Sequence, residues 1–492
     1  MIAALILVPT IAGLLALVLR WDAPRRAILA LTAFAHLGMT AACWNVRPAS
    51  TLGGWLQLDG IGLLFLGTTS VLFVAAAVYG VGYLGREGHG SRKDLETGFV
   101  FANAPEATFT GCLLLFLAAM TLVCCCQRFG LLWVAVEATT LASAPLIYFH
   151  RHPRSLEATW KYLLLCSVGI ALALLGVFFL AVSATDTMGH QADLSLRDLL
   201  KHAKDLDPAW LKAAFIFLVV GYGTKMGLAP LHTWLPDAHS ESPSMVSALL
   251  SGALLNCAFI GILRMQQVLV AAGLASFGQE ILVVLGLLSM GVAAVFILGQ
   301  PDYKRMLAYS SVEHMGILAL GVGLGGVGTF GSLLHAVNHS FTKGMLFLVA
   351  GNLLATYHSK ACDDVRGAIR VLPVSGVLWV MGFLAITGSP PFGPFLSEFT
   401  ILKAALDAGR GVVAAAYLVF LALIFIGMAT AVLRMAQGAA PAEFHLGARS
   451  EPALSIASPA ALATIVLVLG LWIPQRLLDA LHEAARSMGG SP

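Results

Sequence analysis

Long apolar runs separated by short polar stretches recur along the whole 492-residue chain. A helix needs roughly 20 mostly apolar residues to cross the hydrocarbon of a bilayer. Such runs fall near 2–20, 27–45, 60–84, 108–126, 129–149, 161–185, 211–235, 243–264, 275–299, 304–324, 331–356, 373–398, 412–436 and 457–474. The pattern predicts an all-α integral membrane protein, a single polytopic domain over 1–492 with about 14 transmembrane helices. Its first run is longer than the apolar core of a signal peptide and has no basic leader, so it reads as a retained span.

The seventh and twelfth runs break the pattern. One reads Gly221-Tyr-Gly-Thr-Lys-Met-Gly-Leu-Ala-Pro-Leu-His-Thr-Trp-Leu-Pro236, the other Thr387-Gly-Ser-Pro-Pro-Phe-Gly-Pro-Phe-Leu-Ser-Glu398. Proline has no amide to donate and clashes with the carbonyl four residues back, so both helices are expected to be discontinuous. Two interrupted helices five spans apart suggest a first five-helix repeat at 108–264 and a second at 275–436. Paired discontinuous helices are the strongest sequence pointer to a transport pathway.

Composition narrows the class further. Only 11% of residues are charged, 58% are hydrophobic and the mean hydropathy is +0.85, whereas a soluble domain carries about 25% charged residues. A net charge of +3 makes no case for nucleic acid. Loops after odd-numbered spans hold sixteen Lys and Arg, and the remaining loops and tail eleven. The positive-inside rule then puts both termini on the outer side of what is expected to be a bacterial cytoplasmic membrane.

Of the eight cysteines, Cys124, Cys125 and Cys126 are adjacent. They lack the spacing of zinc or iron–sulfur ligation and read as packing residues. Gly321-Val-Gly-Leu-Gly-Gly326 formally fits a dinucleotide fingerprint, but no strand precedes it; it reads as a tight turn between spans. His232, Asp237 and His239 are read as capping and loop hydrogen bonds, not as metal ligands. No cofactor or metal is expected in this chain, and any redox centre belongs to a partner.

Ionisable residues at membrane depth are costly and functional by default. Glu137 lies midway along the fifth span and Lys225 at the break of the seventh, where the two are expected to pair and hold each other charged. His335, His339 and Lys343 are spaced four apart on the eleventh span and share one face, beside Asn338. Glu398 follows Pro394 by one helical turn in the twelfth. Glu313 and His314 sit mid-span in the tenth, Glu313 at the position that Glu137 holds in the first repeat. Glu137, Lys225, His335, His339, Lys343 and Glu398 describe a proton path. Glu313 is either a further proton site or a structural partner for His314, and His314 and His232 are further candidates.

The strings Lys225-Met-Gly-Leu-Ala-Pro-Leu-His-Thr-Trp-Leu-Pro-Asp-Ala-His239 and Tyr303-Lys-Arg-Met-Leu-Ala-Tyr-Ser-Ser-Val-Glu-His-Met-Gly316 resemble the antiporter-like subunits of respiratory complex I. The wider group includes Mrp-type antiporters and the membrane arms of group 4 hydrogenases. Ser155-Leu-Glu-Ala-Thr-Trp-Lys-Tyr-Leu-Leu-Leu165 and Val312-Glu-His-Met315 look most like the hydrogenase-4 component F type. The resemblance covers about residues 60–436. It implies inverted five-helix repeats and proton transfer by Glu137, Lys225, His335, His339, Lys343 and Glu398. It departs in the eighth span, where many relatives carry a lysine at the position of Asn256 or a histidine at that of Ser251. Only a short amphipathic tail, Gln475 to Arg486, follows the last span.

The reading that follows is a proton-translocating subunit of a redox-driven membrane complex, with other integral membrane subunits and a soluble redox or hydrogenase arm as partners. Three alternatives stand beside it: an Mrp-like Na⁺/H⁺ antiporter subunit, a structural anchor for a catalytic arm, and a membrane partner for inorganic-carbon uptake.

Overall fold

The computed structural model describes residues 1–87, 90, 92–93, 99–188, 194–439 and 450–490. Its helices are α1 (Ile2–Val18), α2 (Asp22–Asn45), α3 (Gly60–Arg86), α4 (Glu106–Cys125), α5 (Phe129–Ile147), α6 (Pro153–Met188), the short α7 (Leu196–Lys201), α8 (Pro208–Met226), α9 (Trp234–Glu241) and α10 (Ser244–Leu249). They continue with α11 (Leu255–Ala271), α12 (Ala275–Ile297), α13 (Tyr303–Leu324), α14 (Gly326–Tyr357), α15 (Ala368–Val371), α16 (Pro373–Ile386), α17 (Gly393–Asp407), α18 (Gly411–Ala436), α19 (Ala453–Leu471) and α20 (Gln475–Arg486). The only regular sheet among the described residues is the antiparallel pair β1 (Arg92–Lys93) and β2 (Val100–Phe101).

Eleven helices among the described residues are long and apolar enough to cross a membrane, counting α10 and α11 as one. These two are joined through a π turn at Leu250–Leu254. α1 and α16 are shorter apolar helices, while α14 is 32 residues long but rich in polar side chains. The stretches α10–α11 and α13 are buried almost throughout and form the centre of the bundle; α2 and α18 turn most of their surface outward.

Local chemistry sets the helix ends. The Asp207 carboxylate accepts from the amides of Ala209 and Trp210 at 2.8 and 3.0 Å, and Pro208, which has no amide to satisfy, opens α8. Asp302 does the same for the amides of Lys304 and Arg305, relieving the unpaired N–H groups that every helix start carries. α8 stops at Gly227, whose φ of +85° is cheap only for a residue without Cβ.

The ion pairs sort the loops into two ends. Arg26–Glu106, Lys161–Asp237, Arg305–Asp237, Lys360–Glu241 and Arg434–Asp363 join groups near loops after odd-numbered spans. Arg47–Glu483, Arg264–Asp59 and Arg410–Glu280 join groups near the others. No ion pair among the described residues links the two sets.

Two sequence expectations need correction. Gly321 and Gly323 do not lie in a turn: both are inside α13, where an added Cβ would meet Ser332 and Val283 at 2.8 and 2.7 Å. They are there for close helix packing, and the turn is confined to Gly325 and Gly326. His239 is no capping or loop residue either; it is completely buried on α9 and neither ring nitrogen has a partner. The eight cysteines are unbridged, seven of them buried. Outside the spans, burial pushes the Cys362 thiol up to about 12, which keeps it protonated.

Candidate proton-transfer site

The two interrupted runs become two broken helices. Between α8 and α9 the chain unwinds over residues 227–233, and between α16 and α17 over 387–392. The Trp234 indole N–H donates to the Thr224 carbonyl at 2.8 Å, so a carbonyl of the last turn of α8 is satisfied by a side chain from beyond the break. At the second break, Gly388 (φ +65°) lies against Glu398, and a Cβ there would fall 2.0 Å from the Glu398 Oε2. Gly393 packs equally closely on Asn338.

Lys225, the last residue but one of α8, is fully buried. Its ammonium donates to the Thr140 hydroxyl at 2.7 Å and the Tyr162 hydroxyl at 2.6 Å. Thr140 in turn donates to Glu137 Oε2 at 3.0 Å, and Ser167 donates to the other carboxylate oxygen at 3.0 Å. The Ser143 hydroxyl gives its one hydrogen to the Thr139 carbonyl, so Tyr162, 2.7 Å away, donates to Ser143 and accepts from Lys225. Every donor has one direction. The expected direct Glu137–Lys225 ion pair is not formed, because Thr140 sits between the two groups; the ammonium reaches the carboxylate through one hydroxyl. Glu137 itself is only half-buried, beside the exposed Val134 and Leu141.

The second cluster lies wholly inside. His314 on α13 and His335 and His339 on α14 are fully buried, as is Lys343; Glu313 and Glu398 are nearly so. Ser397 donates to the Pro394 carbonyl at 2.9 Å. Having spent its hydrogen, it accepts from His335 Nδ1, also at 2.9 Å. A neutral His335 therefore has a bare Nε2, which accepts from His314 Nδ1 at 2.9 Å. The lone pair left over is His314 Nε2, 3.9 Å from the Glu313 carboxylate. The two imidazoles thus form a directional wire, with heavy-atom separations inside the range over which protons are transferred. His339 stacks on His314 with 5.1 Å between centroids. Lys343 donates to the Leu307 carbonyl at 2.7 Å and to the Ser310 hydroxyl.

Between the clusters, Asn256 donates to Gly252 and Ser340, and Ser251 pairs with Ser311 at 2.8 Å. Neither side chain holds a proton. The titratable group that occupies this gap is His239, between Trp234 (6.2 Å between centroids) and Phe347 (5.6 Å). Trp234 stacks on Tyr162 at 5.0 Å, and Phe347 is one turn along α14 from Lys343. Sequence reasoning set His239 aside because it stood beside Pro236 and Asp237 at an apparent membrane-edge turn; its spacing of fourteen from Lys225 carried no helical signal across the break. His232 is buried but stands apart, near Tyr309 with 6.4 Å between centroids.

A polytopic bundle with two broken helices and a Glu–Lys–His–Glu series, buried from Lys225 onward, defines an antiporter-like membrane subunit. Residues 127–425 match the family described as NADH:quinone oxidoreductase/Mrp antiporter, TM. The chain belongs to that family. It is 36% identical over 379 residues, 76% of this chain and 77% of the relative, to a hydrogenase-4 component F homolog of Methylacidiphilum infernorum. It is 30% identical over 372 residues to NADH-quinone oxidoreductase subunit N of Desulforudis audaxviator, covering 75% of this chain and 71% of that one. The same fold occurs in an archaeal membrane-bound sulfane sulfur reductase (TM-score 0.86, 21% identity, 99% of this chain and 97% of that chain). It recurs in respiratory complex I from Thermus thermophilus (TM-score 0.82, 23% identity, 100% of both chains).

Proposed function

We propose that the chain translocates protons as an antiporter-like subunit of a redox-driven membrane complex of the group 4 hydrogenase or complex I type. The observation that carries this reading is the series of buried titratable side chains running between the two helix breaks. Protons pass Glu137, Thr140 and Lys225, cross by His239 to Lys343 and His339, and leave through His314, His335 and Glu398. Buried polar atoms are ordinarily hydrogen-bonded, and the partnerless atoms of His239, Asn338, His339, Glu313 and Glu398 line the part of the route where water completes it. The His239 step takes over the place that many relatives give to a lysine or histidine in the eighth span.

The finer architecture belongs to the same proposal. The chain has fourteen membrane-crossing segments, with inverted five-helix repeats at 108–264 and 275–436. Both termini lie outside the bacterial cytoplasmic membrane. The redox centres reside in a soluble arm bound to neighbouring membrane subunits, and this chain supplies no redox chemistry.

Redox-driven proton uptake by the purified complex in proteoliposomes tests the reading. Lys225→Ala and His239→Gln, each in an assembled complex, should abolish uptake while electron transfer continues. Coupling that survives both changes would favour the anchoring role, which the absence of a proton carrier at Asn256 and Ser251 supports. Uptake that requires a sodium gradient would instead point to Na⁺/H⁺ exchange.

A further inference from the structure

We propose that His314, His335 and Glu398 form a binding site for a divalent transition-metal cation of the zinc class, and that an ion held there blocks proton flow. Each residue offers one ligand atom, and the three atoms lie within 4.8 Å of one another. All three side chains are buried on different elements: α13, α14 and α17. Two imidazoles and a carboxylate are a donor set that suits zinc, copper or nickel and disfavours the all-oxygen preferences of magnesium and calcium. Tetrahedral zinc with bonds of about 2.0–2.1 Å holds its ligand nitrogens roughly 3.3 Å apart. The His314–His335 nitrogen separation of 2.9 Å is close to that spacing, and both rings must turn so that their lone pairs, now aligned along one hydrogen bond, converge on the ion.

Three further features favour the site. Glu398 Oε1 is buried without a partner and gains one on ligation. The ion takes the place of the proton between His314 Nδ1 and His335 Nε2, and that proton moves to His314 Nε2, which has no partner of its own. Ser397 holds His335 by Nδ1 at 2.9 Å and presents the opposite nitrogen, the outer hydrogen bond that ligating histidines ordinarily make. The charge also closes: Glu398 and the nearby Glu313, 3.9 Å from His314 Nε2, offset a dipositive ion in a region where an uncompensated charge is costly.

Blocking rests on the proton reading above, because a metal on His335 occupies the lone pair that receives the proton from His314. Binding does not rest on it, and the two are measured separately. Zinc is titrated into the purified full-length chain against a competing chelator, and the bound ion is examined by X-ray absorption. One equivalent is expected, coordinated by two imidazoles and a carboxylate oxygen. His335→Gln and Glu398→Gln should each weaken binding by well over 10-fold, and Ser397→Ala by about 10-fold, while His358→Gln in a loop leaves it unchanged. Failure to bind, a shell with fewer than two imidazoles, or equal binding by the His335 and Glu398 variants would overturn the site. If a variant misfolds, the absorption spectrum of the unaltered chain decides alone. Zinc that binds as described without slowing proton uptake in proteoliposomes would leave the site standing and refute the blocking role.

Discussion

The two clusters are built from similar side chains but solve opposite problems. Around Lys225 each polar side chain has a partner and the donors run in a single direction: ammonium to Thr140 to Glu137, and ammonium to Tyr162 to Ser143. Around His335 the side chains are more deeply buried, yet His339, Asn338, Glu313 and Glu398 all keep atoms without partners. A satisfied network holds its charge in place. An unsatisfied one has room for a proton and for water to move. On the proposed proton route, the two clusters differ in the state of their hydrogen bonds and not in burial alone: the first is the holding point and the second the conducting one.

The largest effect that bears on this contrast is expected from Lys225→Ala. It removes the sole cation of the first cluster and should lower redox-driven proton uptake by about 100-fold or more, the scale of a lost proton-transfer group. An effect below tenfold in an assembled complex would make the first cluster structural. Next comes Gly388→Ala. Its Cβ would collide with Glu398 at a φ of +65°, so a stability loss of about 1–3 kcal/mol should accompany displacement of the carboxylate and reduced uptake. Unchanged thermal unfolding and uptake would show that the second break yields easily.

Thr140→Val tests the bridge. It keeps the shape of the side chain and removes the hydroxyl between Lys225 and Glu137, leaving the ammonium short of one acceptor. Thermal unfolding should show a loss of about 1–3 kcal/mol. A neutral result would mean that the ammonium meets Glu137 directly. The smallest effect belongs to Lys403→Ala, which breaks an exposed pair with Asp407 one turn away on α17. Within about 0.5 kcal/mol stability should not change, and uptake should be untouched; a drop in uptake would extend the conducting region beyond Glu398.

Much of this was legible in the amino-acid order. Apolar runs long enough to span a bilayer announced the helices, because lipid leaves a backbone few other ways to satisfy its polar groups. Proline and glycine at 227–230 and 388–394 marked both breaks through local geometry. The charges of Glu137, Lys225, Lys343 and Glu398 stood out because hydrocarbon makes them expensive. Periodicity placed His335, His339 and Lys343 on one face of α14, and there they lie.

Tertiary structure alone decided which groups meet. Thr140 and Tyr162 come to Lys225 from two other helices, and no local pattern encodes a contact across 85 or 63 residues. The same holds for the His314–His335 bond and for Ser397, whose single hydroxyl hydrogen sets the direction of the wire. His239 was hidden because helical spacing loses its meaning across an unwound segment. The physical reason is common to all of these. Hydrophobicity and backbone chemistry are properties of a residue and its near neighbours, whereas the partner of a buried polar atom depends on how helices distant in sequence pack.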